Sequence, residues 1–134
     1  MQKDTKLLES VQHRATRLVI DFRSLSYEQR LSRLKLTTLE TRRLRGDLIE
    51  VFKIMKGFDN VDYRDFFIVS ANRCRGHSMK IYKERFNTNI GKFMFSNRVV
   101  EEWNLLSEDV ISANTVQVFK AKLDQCLRCS RGLI

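Results

Sequence analysis

Proline is absent from the 134-residue sequence, and only 5 glycines occur in it. Because these residues are the usual breakers of helices, their scarcity predicts helices joined by short polar loops. The longest apolar runs, Leu18 to Ile20 and Phe66 to Val69, are too short to cross a bilayer, and the first residues lack the apolar segment of a secretion signal. We therefore expect an intracellular, soluble protein, nuclear or cytoplasmic, with no membrane partner.

The sequence also lacks a pattern typical of catalysis. His13 and His77 are the only histidines, no spacing indicates a nucleophile beside a base, and the glycine patterns of phosphate-binding loops are missing. The 3 cysteines, an odd number, predict reduced thiols rather than a disulfide framework. We expect a protein that is not an enzyme and has neither a small-molecule substrate nor a required cofactor.

Positive charge is the strongest feature of the composition. Lys and Arg number 25 against 16 Asp and Glu, a net charge of +9 with a pI near 9.8. Hydrophobic residues make up 43% of the chain, with 9 Phe, which is typical of one globular domain spanning residues 1–134. An excess of cations favours an acidic partner, and nucleic acid, either RNA or DNA, is the first candidate.

Three helices are predicted within residues 1–57. The first carries apolar residues at three- and four-residue steps, which predicts a stripe facing the core: Leu7, Leu8, Val11, Ala15, Leu18, Val19 and Phe22. Ser26 with Gln29, and Thr37 with Glu40, have the spacing of capping boxes that begin the next two helices. Gly57 ends the third helix.

Arg42, Arg43 and Arg45 lie off the apolar side of the third helix. The planar guanidinium group of arginine can donate two hydrogen bonds to phosphate oxygens, so these residues are candidates for a nucleic-acid contact. The alternative is an ordinary solvated helix face, supported by a pair between Arg43 and Asp47.

Residues 73–130 are predicted to form a basic hairpin followed by C-terminal helices. Between residues 73 and 98 the net charge is +6, and the block contains the basic residues Arg73, Arg75, Lys80, Lys83, Arg85, Lys92 and Arg98. The alternation of apolar and polar residues around Ile81 and the turn residues at Asn87 predict a short β-hairpin near residues 78–95. We expect this hairpin either to lie along a nucleic-acid backbone or only to cover the helical core. Trp103 is predicted to be a core residue. The fold class is therefore mainly α, a small domain of about five to six helices with this hairpin.

Four residues have the spacing of two zinc-ligand pairs. Cys74 and His77 form one pair, and Cys126 and Cys129 form the other. A zinc ion bound by all four would tie the hairpin to the last helix. The alternative is a turn at Gly76 in which His77 makes a local hydrogen bond.

Six strings of the chain occur in an order that matches a known family. They are LLESVQHRAT (7–16), LSYEQRL (25–31), LTTLETRRLRGDLIEVFKI (36–54), RGHS (75–78), FSNRVVEEWN (95–104) and VFKAKLD (118–124). Together they resemble the C-terminal region of jockey-like LINE (non-LTR) retrotransposon reverse transcriptases, over most of the chain. The resemblance implies a thumb or post-thumb segment, downstream of the polymerase palm, that helps to grip template RNA or target DNA.

The chain departs from the family pattern at Ser107 and Asn114, where proline is expected, and at His13, where a stronger base is frequent. These departures imply a diverged or domesticated copy. The Tyr/Phe-x-Asp-Asp metal-binding signature of a polymerase is absent, which excludes polymerase activity for this chain alone. Two functions are left: a non-catalytic nucleic-acid-binding module, or a structural or adaptor subunit of a larger protein or ribonucleoprotein assembly.

Overall fold

The computed structural model describes residues 2–71, 76–88, 90–91 and 94–131, and the chain is mainly helical over them, as predicted. Its first helices are α1 (Gln2–Arg17), α2 (Tyr27–Arg33) and α3 (Leu39–Lys56). The later helices are α4 (Phe95–Arg98), α5 (Val100–Asn104), α6 (Glu108–Ile111) and α7 (Val116–Arg131). Single 3-10 turns lie at Ile20–Phe22 and Tyr63–Asp65. No helix in the described ranges combines the length and apolarity that a bilayer crossing requires.

Local signals fix the ends of α2 and α3. The capping box of α2 is present: the Ser26 hydroxyl accepts from the Gln29 N–H at 3.3 Å, and the Gln29 side chain accepts from the Ser26 N–H at 3.0 Å. The second predicted box is wrong by one residue, because Thr38 adopts the extended cap conformation and its hydroxyl accepts from the Thr41 N–H. Gly57 ends α3 in the left-handed region, with φ of +72°.

The core is built where α3 meets α5 and α7. The rings of Phe52 on α3 and Phe119 on α7 stack with centroids 4.0 Å apart, and both are fully buried. Trp103 on α5 is also fully buried, and its indole N–H donates to the Met79 carbonyl at 2.8 Å. This confirms Trp103 as a core residue. The hydrogen bond gives the buried indole N–H the acceptor that it would otherwise lack.

The β-hairpin predicted near residues 78–95 is not seen in the described part of that segment. Ile81 instead forms an isolated antiparallel bridge with Val69. On its other side, the Ile81 N–H donates to the Asn104 side chain at 2.9 Å, and the Asn104 amide donates to the Ile81 carbonyl at 2.8 Å. Beyond the turn, Ile90 and Gly91 are helical rather than extended. In the described residues of the second arm no strand pairs with Ile81, and the Asn104 amide fills the position beside it.

The apolar stripe of α1 does not face the core, which corrects the prediction from periodicity. The side chains of Leu7, Leu8, Val11 and Leu18 are each at least 60% exposed. Periodicity shows which residues share a face of a helix, but it does not show which face the rest of the protein covers.

Candidate nucleic-acid interface

The basic block at residues 73–98 lies partly outside the described residues. Arg73, Arg75 and Lys92 are the predicted contacts that fall there, so their placement stays a prediction. Arg85 is exposed. Lys80 is half-buried, and its side chain lies so close to Gly76 that a Cβ there would meet Lys80 Cε at 2.6 Å.

Two other members of the block are held by carboxylates. Lys83 Nζ forms an ion pair with Glu101. Arg98 donates to both oxygens of Asp47, at 2.8 and 2.9 Å, and this pair joins residues 51 positions apart. The predicted pair between Arg43 and Asp47 is not formed, because Arg98 occupies the Asp47 carboxylate. Phosphate would have to compete with a fixed acid at both of these cations.

Two of the three residues of the second predicted patch, Arg42 and Arg45, line one cavity, and Arg43 does not. A cleft of about 350 Å³ lies between the start of α3 and the end of α7. It is lined by Thr37, Thr41, Arg42, Arg45, Asp124, Leu127 and Arg128, and we call it the arginine cleft. Three arginines and two threonines therefore line the cleft, together with a single acidic residue.

One of the three arginines neutralises that carboxylate. Arg45 donates to Asp124 through Nε at 2.5 Å and through Nη2 at 3.0 Å. This pairing raises the pKa of Arg45 above its ordinary value, so the side chain stays charged at any physiological pH. Because Asp124 is bound on both oxygens, Arg42 and Arg128 give the cleft its net positive charge.

The guanidinium of Arg42 has only neutral acceptors among the described contacts. It donates to the Gln12 side-chain oxygen and, at 3.3 Å, to the Thr37 carbonyl. These bonds fix its position without cancelling its charge. Arg43, by contrast, lines a separate groove that also holds Glu40, Asp47 and Glu102, so its surroundings are of mixed charge.

Arg128 was not predicted from the sequence as a site residue. It lies 83 positions after Arg45, and only the fold brings the two to one cleft. The local signal is weak: Asp124 and Arg128 are four residues apart and therefore share one face of α7.

The structure accounts for His77 without a metal ion. Its Nε2 lies 2.9 Å from the Trp103 carbonyl, and its Nδ1 accepts from the Met79 N–H at 3.2 Å. Both ring nitrogens are therefore engaged. No three metal-binding side chains cluster among the described residues, where Cys126 and Cys129 are free thiols. Cys74 lies outside those residues, so the four-ligand zinc site stays a prediction.

Comparison of the chain with protein-family models, with curated proteins and with solved structures found no match.

Proposed function

We propose that this chain is a non-catalytic nucleic-acid-binding module whose phosphate contacts centre on the arginine cleft. The observation that carries the proposal is the convergence of Arg42, Arg45 and Arg128 on one cavity with a single, already paired carboxylate. Arginine offers phosphate a planar fork of donors, and a concave site with excess positive charge concentrates an anion. Arg85, which is exposed and outside the cleft, is a further member of the proposed contact set.

The resemblance to the C-terminal region of LINE reverse transcriptases supports the same kind of ligand. In this proposal the chain is a diverged or domesticated copy of that region, and it holds RNA or DNA without processing it. Several cations of the basic block still belong to the proposed contact set, but Lys83 and Arg98 do so only if phosphate displaces Glu101 and Asp47.

The test is the salt dependence of binding to a labelled single-stranded RNA and to a DNA duplex of equal length. A protein that neutralises several phosphates releases as many counterions, so the logarithm of the affinity falls linearly with the logarithm of salt, by about 0.7 to 0.9 per phosphate contact. We expect a steep slope on at least one ligand. An affinity too weak to measure at low salt, or one that does not change with salt, would contradict the proposal.

A further inference from the structure

Helix α1 packs against the rest of the protein through its polar side. The Glu9 carboxylate accepts from the Tyr27 hydroxyl and, at 2.9 Å, from the Leu39 N–H. Gln12 donates to the Tyr27 hydroxyl at 3.0 Å, and the Thr16 hydroxyl accepts from Arg30 at 3.2 Å. Thr16 is buried, with 4% of its surface exposed. The amphipathic helix is thus inverted, with its polar face inward and its apolar face in solvent.

The exposed apolar face forms one wall of a groove. The other wall is the chain that joins α2 to α3, and the space between them is about 520 Å³. We call it the apolar groove, and its apolar lining comprises Leu8, Val11, Ala15, Val19, Leu34, Leu36 and Leu39. With Leu7 and Leu18 beside it, the exposed apolar area is on the order of a few hundred Å², the size at which patches on monomers are often functional.

Positive charge borders this groove. Arg42 lines it, Arg14 lies three residues after Val11 on α1, and Lys35 is exposed between Leu34 and Leu36. None of the three cations forms an ion pair within the described residues. No acid is among the described residues that line the groove. The nearest carboxylate is that of Glu9, which is already bound by the Tyr27 hydroxyl and the Leu39 N–H.

We propose that the apolar groove receives an amphipathic helix of a protein partner, with apolar residues inserted into the groove and acidic residues along the edges. Helices bind grooves in this way through side chains at three- and four-residue spacing. The basic border selects for acidic edges because like charges across an interface cost free energy. A second copy of this chain fits poorly, since it has a net charge of +9 and its own α1 carries Lys3, Lys6, Arg14 and Arg17. The proposal does not depend on nucleic-acid binding.

The experiment uses two labelled synthetic helical peptides of about 18 residues, or five turns. Both have leucine at three- and four-residue steps; one has glutamate along the edges of the leucine stripe, and the other has lysine at those positions. Binding to the full chain is measured by fluorescence anisotropy. We expect the glutamate peptide to bind at least about tenfold more tightly than the lysine peptide.

Two variants locate the site. Val11→Glu places an acid in the groove at a residue that is 61% exposed. It should reduce the affinity for the glutamate peptide by about tenfold or more. Leu105→Glu makes the same kind of change at a residue that is 80% exposed and directly follows α5, and it should leave binding unchanged. Circular dichroism and the thermal midpoint verify that both variants are folded.

Several results would overturn the proposal. Equal binding of the two peptides, or no binding of either, would show that the groove does not select an acidic helix. A dimer of the unmodified chain in sedimentation, lost in Val11→Glu, would make a second copy the occupant. Binding to phosphatidylserine vesicles in place of the glutamate peptide would make the groove a membrane-binding surface.

Discussion

The side chain of Asn104 replaces a strand beside Ile81. Its amide group accepts from the Ile81 N–H and donates to the Ile81 carbonyl, which is the pattern that a neighbouring backbone would supply. Ile81 is only 3% exposed, so water cannot easily satisfy these groups. An unpaired buried peptide group costs about 1–3 kcal/mol. One residue of α5 therefore determines where the segment before it lies.

Asn104→Leu should destabilise the protein by about 1–3 kcal/mol, because it keeps the approximate size of the side chain but leaves both Ile81 groups unpaired. Urea unfolding followed by circular dichroism measures the change. Asn114→Leu alters an exposed asparagine and serves as the matched control, with an expected effect within about 0.5 kcal/mol. Equal effects of the two substitutions would show that the Ile81 contacts contribute nothing.

The contacts of the two histidines favour the neutral ring over the charged one. Burial lowers the pKa of His77 below its ordinary value of 6.5, and its Nδ1 must stay unprotonated to accept from the Met79 N–H. Burial, followed by the nearby charges of Arg17 and Arg30, also lowers the pKa of His13. His13 Nε2 lies 3.3 Å from a guanidinium nitrogen of the buried Arg30, and it accepts from that group only when it is neutral.

Stability should therefore fall as the pH drops below 6.5. In that range the unfolded chain binds protons that the folded chain does not, since the pKa of each folded histidine lies below 6.5. For His77 the loss is at most about 1.4 kcal/mol per pH unit. Urea unfolding at pH 7.5, 6.5 and 5.5 measures it. His77→Gln should flatten the curve, and a slope equal to that of the unmodified chain would contradict the assignment.

At the scale of one element, replacing a polar residue of α1 should reduce the stability of the protein more than replacing one of its leucines, the reverse of what is usual for an amphipathic helix. Glu9→Ala removes two hydrogen bonds to a charged acceptor and should cost about 1.5–3 kcal/mol. Leu7→Ala changes a leucine that is 69% exposed and should cost no more than about 0.5 kcal/mol. Urea unfolding of both variants decides the matter. A larger loss for Leu7→Ala would mean that the apolar face is buried in the isolated chain.

The elements that the sequence predicted well are those with signals inside a few residues. Ser26 and Gln29 cap α2 through contacts three positions apart, and Gly57 ends α3 through its own backbone conformation. The orientation of α1 could not be predicted in this way. It depends on Glu9 reaching Leu39, 30 positions away, and no periodic pattern encodes that contact.

The hairpin failed as a prediction for the same reason. The alternation of apolar and polar residues around Ile81 and the turn residues around Asn87 favour two strands. Nearby residues carry no other signal of how this segment folds. The position beside Ile81 is decided by Asn104, 23 positions later, because its amide binds both Ile81 backbone groups. Long-range side-chain contacts of this kind leave no trace in the spacing of nearby residues.

At the scale of the whole molecule, the block with the most positive charge in the sequence is not where the structure leaves cations unpaired with acids. The sequence placed the positive charge at residues 73–98, but two of the described cations there are paired with Glu101 and Asp47. Residues 1–43 contain 10 Lys and Arg against 5 Asp and Glu, a net +5 of the total +9. The sequence therefore predicted a basic protein and two members of the arginine cleft, Arg42 and Arg45. It could not predict Arg128, which only tertiary packing adds.

The measurement that tests the central claim most directly is the change in salt slope when charge is removed from the arginine cleft. Arg42→Gln combined with Arg128→Gln is compared with a matched double control, Lys56→Gln with Arg64→Gln, whose cations are exposed and outside the cleft. On the ligand that shows the steep slope, each lost phosphate contact lowers the slope by about 0.7 for single-stranded RNA or about 0.9 for a DNA duplex. We expect the cleft variant to lose about 1.4 or about 1.8, respectively, from the slope. The control should lose nothing. An unchanged slope in the cleft variant, or an equal loss in the control, would contradict the account.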